Sequence, residues 1–151
     1  MIQRIQSLFL LIAVMLLFVL YWFPIASFQL DGLNFHLFVC HFQHPESGAK
    51  LISMLPLSAL PALSAILSFV AIFRYKNRTN QMMLSKLVIL LLSATLVIEA
   101  IYFVRIGKML GVEGEPAFSA IIPLVAMLFL FMAHRGIKKD DKLVKSADRI
   151  R

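Results

Sequence analysis

The sequence predicts an all-α membrane protein, a bundle of four transmembrane helices with a small extracytoplasmic β-hairpin in the first outer loop. Three observations predict it. Of 151 residues, 60% are hydrophobic and only 15% are charged, whereas a soluble domain is usually nearer half apolar and a quarter charged. The apolar excess falls into four blocks, each about as long as a helix must be to cross a hydrocarbon core of roughly 30 Å. Lys and Arg gather in alternate connections between those blocks rather than along the whole chain.

The blocks run over Ile5–Phe23, Leu51–Phe73, Leu84–Val104 and Ala117–Ala133, so helices are expected at about 5–23, 51–73, 84–104 and 117–133. None has a Lys or Arg in its central part, Lys86 standing at an end. In lipid every backbone N–H and C=O must be paired within the chain, which makes the helix the default spanning structure. A membrane β-barrel would show alternating strands of roughly ten residues throughout, and these runs do not alternate. The expectation is a single integral membrane domain over residues 1–151, with an outer hairpin loop at 24–50 and a basic tail at 134–151.

Helix one follows Arg4, so a signal peptide is the competing reading. A signal peptide has an apolar core of roughly 7–15 residues ending at small residues. This run is longer and closes on the bulky Tyr21, Trp22 and Phe23 before Pro24. Aromatic residues there suit a helix end at headgroup level. The segment reads as a retained span.

Orientation follows from charge. Arg4 precedes helix one; Arg74, Lys76, Arg78 and Lys86 flank the connection between helices two and three; Arg135, Lys138, Lys139, Lys142, Lys145, Arg149 and Arg151 follow helix four. The other two connections hold only Lys50, Arg105 and Lys108, against Asp31, Glu46, Glu113 and Glu115. Cytoplasmic loops retain the Lys/Arg excess, so both termini are expected in the cytoplasm. The formal charge of +7 is thus mainly a topology signal. No aromatic-basic platform accompanies it, and no nucleic-acid partner is expected. The lipid bilayer is, because juxtamembrane lysines attract anionic headgroups.

The first outer loop contains SFQLDGLNFHL, residues 27–37. Asp-Gly between alternating runs is a strong hairpin signal, since both residues tolerate the positive φ of a type I′ turn. With Asp31 and Gly32 as turn residues, Leu30 faces Leu33, Gln29 faces Asn34, Phe28 faces Phe35 and Ser27 faces His36. Apolar meets apolar and polar meets polar at each step. One face is then Phe28, Leu30, Leu33 and Phe35, with Ala26 and Leu37; the other is Ser27, Gln29, Asn34 and His36. A lone hairpin is marginal in water, so its apolar face must cover the chain's own helices, lipid or a partner. The four residues Phe28, Leu30, Leu33 and Phe35 are accordingly candidate partner contacts, with self-capping the plainer alternative. The rest of the loop, VCHFQHPESGAK, reads as irregular.

Chemistry-bearing residues are few. Cys40, His41 and His44 are weak metal candidates, because thiolate and imidazole suit zinc or copper, but their spacing matches no strong signature and no metal is expected. Cys40 is the only cysteine, so no internal disulfide forms; a small apolar role is favoured. Glu99 is the only acidic residue inside an apolar run, and such a residue marks a functional site or needs a partner. Arg105, Lys108 or interfacial water are within its expected reach. His134 offers a haem or quinone ligand, with interfacial solvation the plainer account. Pro56 and Pro61 in helix two and Pro123 in helix four are each expected to remove a ladder hydrogen bond and favour a kink. The tail places Leu143, Ala147 and Ile150 along one side of a helix, a basic amphipathic pattern suited to the inner membrane surface or a partner. No catalytic constellation supports an enzyme, and no cofactor is expected.

The opening MIQRIQSLFLL, the YWFP ending helix one, FRYKNRTNQMMLSKL and the closing AHRGIKKDDKLVKSADRIR together resemble a Bacteroidota inner-membrane family of small four-helix proteins, a domain of unknown function (DUF4293). The likeness covers essentially the whole chain. It implies a bacterial inner membrane location with four spans and supplies no catalytic residues. The expected function is a non-enzymatic accessory or assembly subunit of a larger membrane complex, in protein export or envelope machinery, meeting membrane-protein partners through the hairpin and through Lys138, Lys139, Lys142, Lys145 and Arg149. The alternative is a small transporter or a cofactor-carrying redox subunit using Glu99 and the histidines.

Overall fold

The computed structural model describes residues 2–44, 50–75 and 77–148. It is mostly helical, with α1 (Ile2–Val19), α2 (Leu55–Phe73), α3 (Arg78–Leu110) and α4 (Ile122–Asp148). Five short strands complete it: β1 (Ala26–Leu30), β2 (Leu33–Leu37), β3 (His41–Gln43), β4 (Lys50–Ser53) and β5 (Gly114–Pro116). Three helical segments, Leu55–Phe73, Arg78–Leu110 and Phe118–Asp141, are long and apolar enough to cross a membrane; Ile5–Val19 is a shorter apolar helix.

Helix ends differ from the apolar runs for local reasons. α1 stops at Val19 and tightens: Tyr21 and Trp22 donate to Phe18 and Val19, one residue short of the α-helical spacing, before Pro24. Leu51, expected to open helix two, instead lies in strand β4, and α2 starts at Leu55. α3 outruns its apolar block at both ends. Asn77 caps it, its side chain accepting from Asn80 N at 3.1 Å, and Gly111 closes it in the left-handed conformation at φ 69°. At about 1.5 Å per residue its 33 residues reach roughly 50 Å. The tail is helical, continuing α4 unbroken to Asp148 with Leu143 and Val144 exposed; the side chain of Ala147 and the whole of Ile150 lie outside the described residues.

Pro56 occupies the second residue of α2, where the missing N–H has no helical acceptor anyway, and Pro123 the second residue of α4, directly after a 3-10 turn at Phe118–Ile121. Only Pro61 lies inside α2.

The hairpin forms in the expected register, pairing Ala26 with Leu37, Ser27 with His36, Phe28 with Phe35, Gln29 with Asn34 and Leu30 with Leu33. Asp31 and Gly32 both take positive φ, 52° and 81°, as a type I′ turn requires. The loop beyond it, expected to be irregular, carries strands in its described part, and its residues 45–49 lie outside the described residues. β3 pairs with β2 and β4 pairs with β3, giving an antiparallel sheet in the order β4-β3-β2-β1-β5. β5 comes from the connection between α3 and α4 and pairs with β1, Ser27 opposite Glu115. Both connections therefore lie at one end of the bundle, here the sheet end. The opposite, tail end gathers the start of α1, the connection from α2 to α3, and the end of α4.

The interior has two clusters. Beneath the sheet, Phe28, Phe35, Leu37, Val39 and Phe42 pack with Leu20, Met54, Leu57 and Ile106. Along the bundle, Leu10, Ala13 and Leu17 of α1 meet Ala126, Leu130 and Ala133 of α4, with Ala71, Val88 and Leu92. α2 turns Pro61, Ser64, Ser68 and Ala71 inward at helical spacing, and such small residues let helix backbones approach closely.

Candidate functional site

The hairpin's apolar face is covered by its own chain. Phe28 and Phe35 keep 1% and 9% of their exposure, and Leu30 and Leu33 pack partly buried against the same cluster. The Phe35 ring stacks on Phe42 with centroids 5.7 Å apart, while Phe28 meets Phe42 edge-on at 6.2 Å and Phe103 of α3 at 5.5 Å. A Cβ added to Gly114 would stand 2.7 Å from Phe28 Cδ1, so β5 approaches that closely only because residue 114 lacks a side chain. Phe28 and Phe35 are thus committed to the interior, and the surface left for another molecule is the sheet's polar face, where Gln29 and Asn34 are exposed.

The Cys-His segment is spread over that cap. Cys40 is exposed, His41 stacks on Phe38 with centroids 5.1 Å apart, and His44 stands edge-on to Phe35 at 5.5 Å. Among the described residues, no three His, Cys, Asp or Glu side chains form a group able to hold a metal ion. Backbone contacts account for much of the local order: Phe38 N donates to His41 O, and Met54 N to Cys40 O.

Glu99 lies on the inward face of α3 at 9% exposure, and its Oε1 has no hydrogen-bond partner. The expected reach to Arg105 or Lys108 is not realised at that oxygen. At about 100° per residue those side chains leave the helix roughly 120° and 180° away from Glu99, and both are exposed. His134 is half-buried on α4, its Nδ1 likewise unpartnered.

At the tail end Lys138 and Lys139 are exposed on α4. The side chains of Lys142 and Lys145 and the whole of Arg149 lie outside the described residues. Beside them is a polar cluster that sequence reading missed. Gln6 Nε2 donates to Asp140 Oδ2 at 2.7 Å, Arg78 Nη1 to the Asp140 carbonyl at 3.4 Å, and Gln81 Nε2 to the Ala71 carbonyl at 3.1 Å. Gln6, Gln81 and Asp140 are all buried. One signal did exist: Ala126, Leu130, Ala133 and Ile137 set a buried face at helical spacing, and Asp140 continues it. Gly136 marks the close approach, since a Cβ there would sit 2.9 Å from Gln6 Cγ.

No curated protein matches the chain. A family model described as a domain of unknown function (DUF4293) matches residues 2–150. The likeness first carried by the sequence's two ends is therefore membership: the chain belongs to the DUF4293 family.

Proposed function

We propose that the chain is a bacterial inner-membrane protein that crosses the bilayer four times and serves as a non-enzymatic accessory or assembly subunit of a larger membrane complex. The observation that carries this reading is that folded structure continues past the apolar belt at both ends. At one end stands a five-stranded sheet with a polar outer face; at the other, α4 extends to Asp148 with Lys138 and Lys139 exposed. Those are surfaces for other proteins on both sides of a membrane.

α1 supplies the fourth crossing. Its 18 residues reach about 27 Å, close to the hydrocarbon thickness of roughly 30 Å. Leu8, Leu11, Met15 and Phe18 face outward along it, and Trp22, 71% exposed, follows where headgroups would lie. The concentration of Lys and Arg at the tail end supports a cytoplasmic location for it.

Two measurements test the proposal. The only cysteine in the chain is exposed at the sheet end, so a membrane-impermeant maleimide labels Cys40 in spheroplasts without permeabilisation. In a Cys40→Ser, Ser146→Cys variant, labelling appears only after permeabilisation; the opposite pattern overturns the orientation. Mild-detergent purification followed by mass spectrometry recovers a membrane protein in stoichiometric amount. Recovery of the chain alone, before and after cross-linking in the membrane, overturns the subunit reading.

A further inference from the structure

A cavity of about 270 Å³ lies beneath the sheet, between the hairpin, α3 and the segment leading into α4. Ile25, Ala26 and Leu37 wall it on the hairpin side, Leu96 and Phe103 on the α3 side. Glu99 is the only polar side chain among its lining residues. Its rim includes Ala100, Val104 and Pro116, all exposed, so the cavity opens sideways on the flank of the bundle.

The Glu99 oxygen without a partner is the unexplained group here. A buried acceptor left unpaired is destabilising, more so if it is charged, and its presence in a native fold asks for an occupant. Water fits poorly. A buried water needs two to four polar partners, and these walls offer one side chain that can supply any. A hydrated inorganic cation would lose more, since its shell of oxygen ligands has no replacement among aliphatic side chains. What the walls do complement is a molecule with one cationic donor and a compact hydrocarbon body. The carboxylate takes the ammonium in a charge-assisted hydrogen bond, Phe103 adds an aromatic ring to the same cavity wall, which attracts a cation over its face, and the aliphatic walls take the rest. A volume near the lower end of small-molecule sites, which run from roughly 300 to 1,000 Å³, limits that body to a single ring or short chain.

We propose that this cavity is a binding site for a small amphiphile bearing a primary ammonium group, with Glu99 as the residue that holds the ammonium. The proposal concerns binding only and involves no chemical step.

Benzylammonium and its neutral counterpart benzyl alcohol are the probes, titrated calorimetrically into the purified full chain in nanodiscs, with empty nanodiscs as the blank. The wild-type chain binds benzylammonium roughly tenfold or more tightly than benzyl alcohol, the range of a hydrogen bond to a charged group. Glu99→Gln closes that gap to about twofold or less while benzyl alcohol still binds, because only the charge is removed. Ala120→Leu, which puts a branched side chain into the cavity, abolishes binding of both. Glu99→Asp retains a preference for the amine and covers the case in which Glu99→Gln does not fold, since it keeps the charge and loses only one methylene. Equal binding of the two probes, a preference that survives Glu99→Gln, binding that survives Ala120→Leu, or no saturable binding above the blank overturns the proposal.

Discussion

At the sheet end Phe28, Phe35, Phe42 and Phe103 pack ring against ring, whereas at the tail end the buried contacts run through Gln6, Gln81 and Asp140. The two ends need different cements. A cap outside the apolar belt gains by withdrawing aromatic area from water, and each ring buries on the order of 150–250 Å². Between helices, apolar contact alone discriminates poorly among alignments, and a hydrogen bond with one donor and one acceptor specifies position. Gln6 to Asp140 sets α1 against α4; Gln81 to the Ala71 carbonyl sets α3 against the last turn of α2. The sheet end is secured by area and the tail end by pairing.

Three experiments sharpen or break that contrast. Phe28→Ala removes the ring at the centre of the cap and leaves a cavity, at a cost of about 3–5 kcal/mol. Denaturant unfolding in detergent measures it, and limited proteolysis finds new cuts between residues 24 and 54. A loss below about 1 kcal/mol would mean the cap is not held by its aromatic cluster. Asp140→Leu strands the Gln6 amide and costs about 1–3 kcal/mol, but adding Gln6→Leu recovers most of it, because replacing both partners by apolar groups is nearly neutral. A double variant as unstable as the sum of the singles would deny that pairing is what matters there. Gly32→Ala puts a side chain at φ 81° and costs about 1–2 kcal/mol. Nothing lies within 4 Å of the added Cβ, so the effect is backbone strain alone and leaves the tail end unchanged by hydrogen exchange.

Legibility followed the range of the interaction. The β1–β2 hairpin could be read because turn, alternation and pairing all lie within twelve residues, Ala26 to Leu37. β5 could not: its partner Ser27 is distant in sequence, and three residues, Gly-Glu-Pro, carry no strand pattern of their own. Apolar runs located the helices but not their ends, since Asn77 and Gly111 act through backbone capping, which a hydropathy count does not see. Glu99 stood out as an acid among hydrocarbon, yet its lack of a partner depends on the angle α3 gives to Arg105 and Lys108. Asp140 was hidden for the opposite reason, as one acid among many charges in the tail, and only its alignment with Ala133 and Ile137 distinguishes it.

The pairing of β1 with β5 also orders the making of the protein. Leu30 and Pro116 end the two strands, and 86 residues (116 − 30) separate them. At about 5–20 residues per second, β1 waits roughly 4–17 s for its second neighbour to leave the ribosome. In that interval its outer row of N–H and C=O groups is an open edge, the kind that recruits stray strands. The sheet is finished only as α4 begins to follow β5, so completion of the cap and delivery of α4 fall together during synthesis.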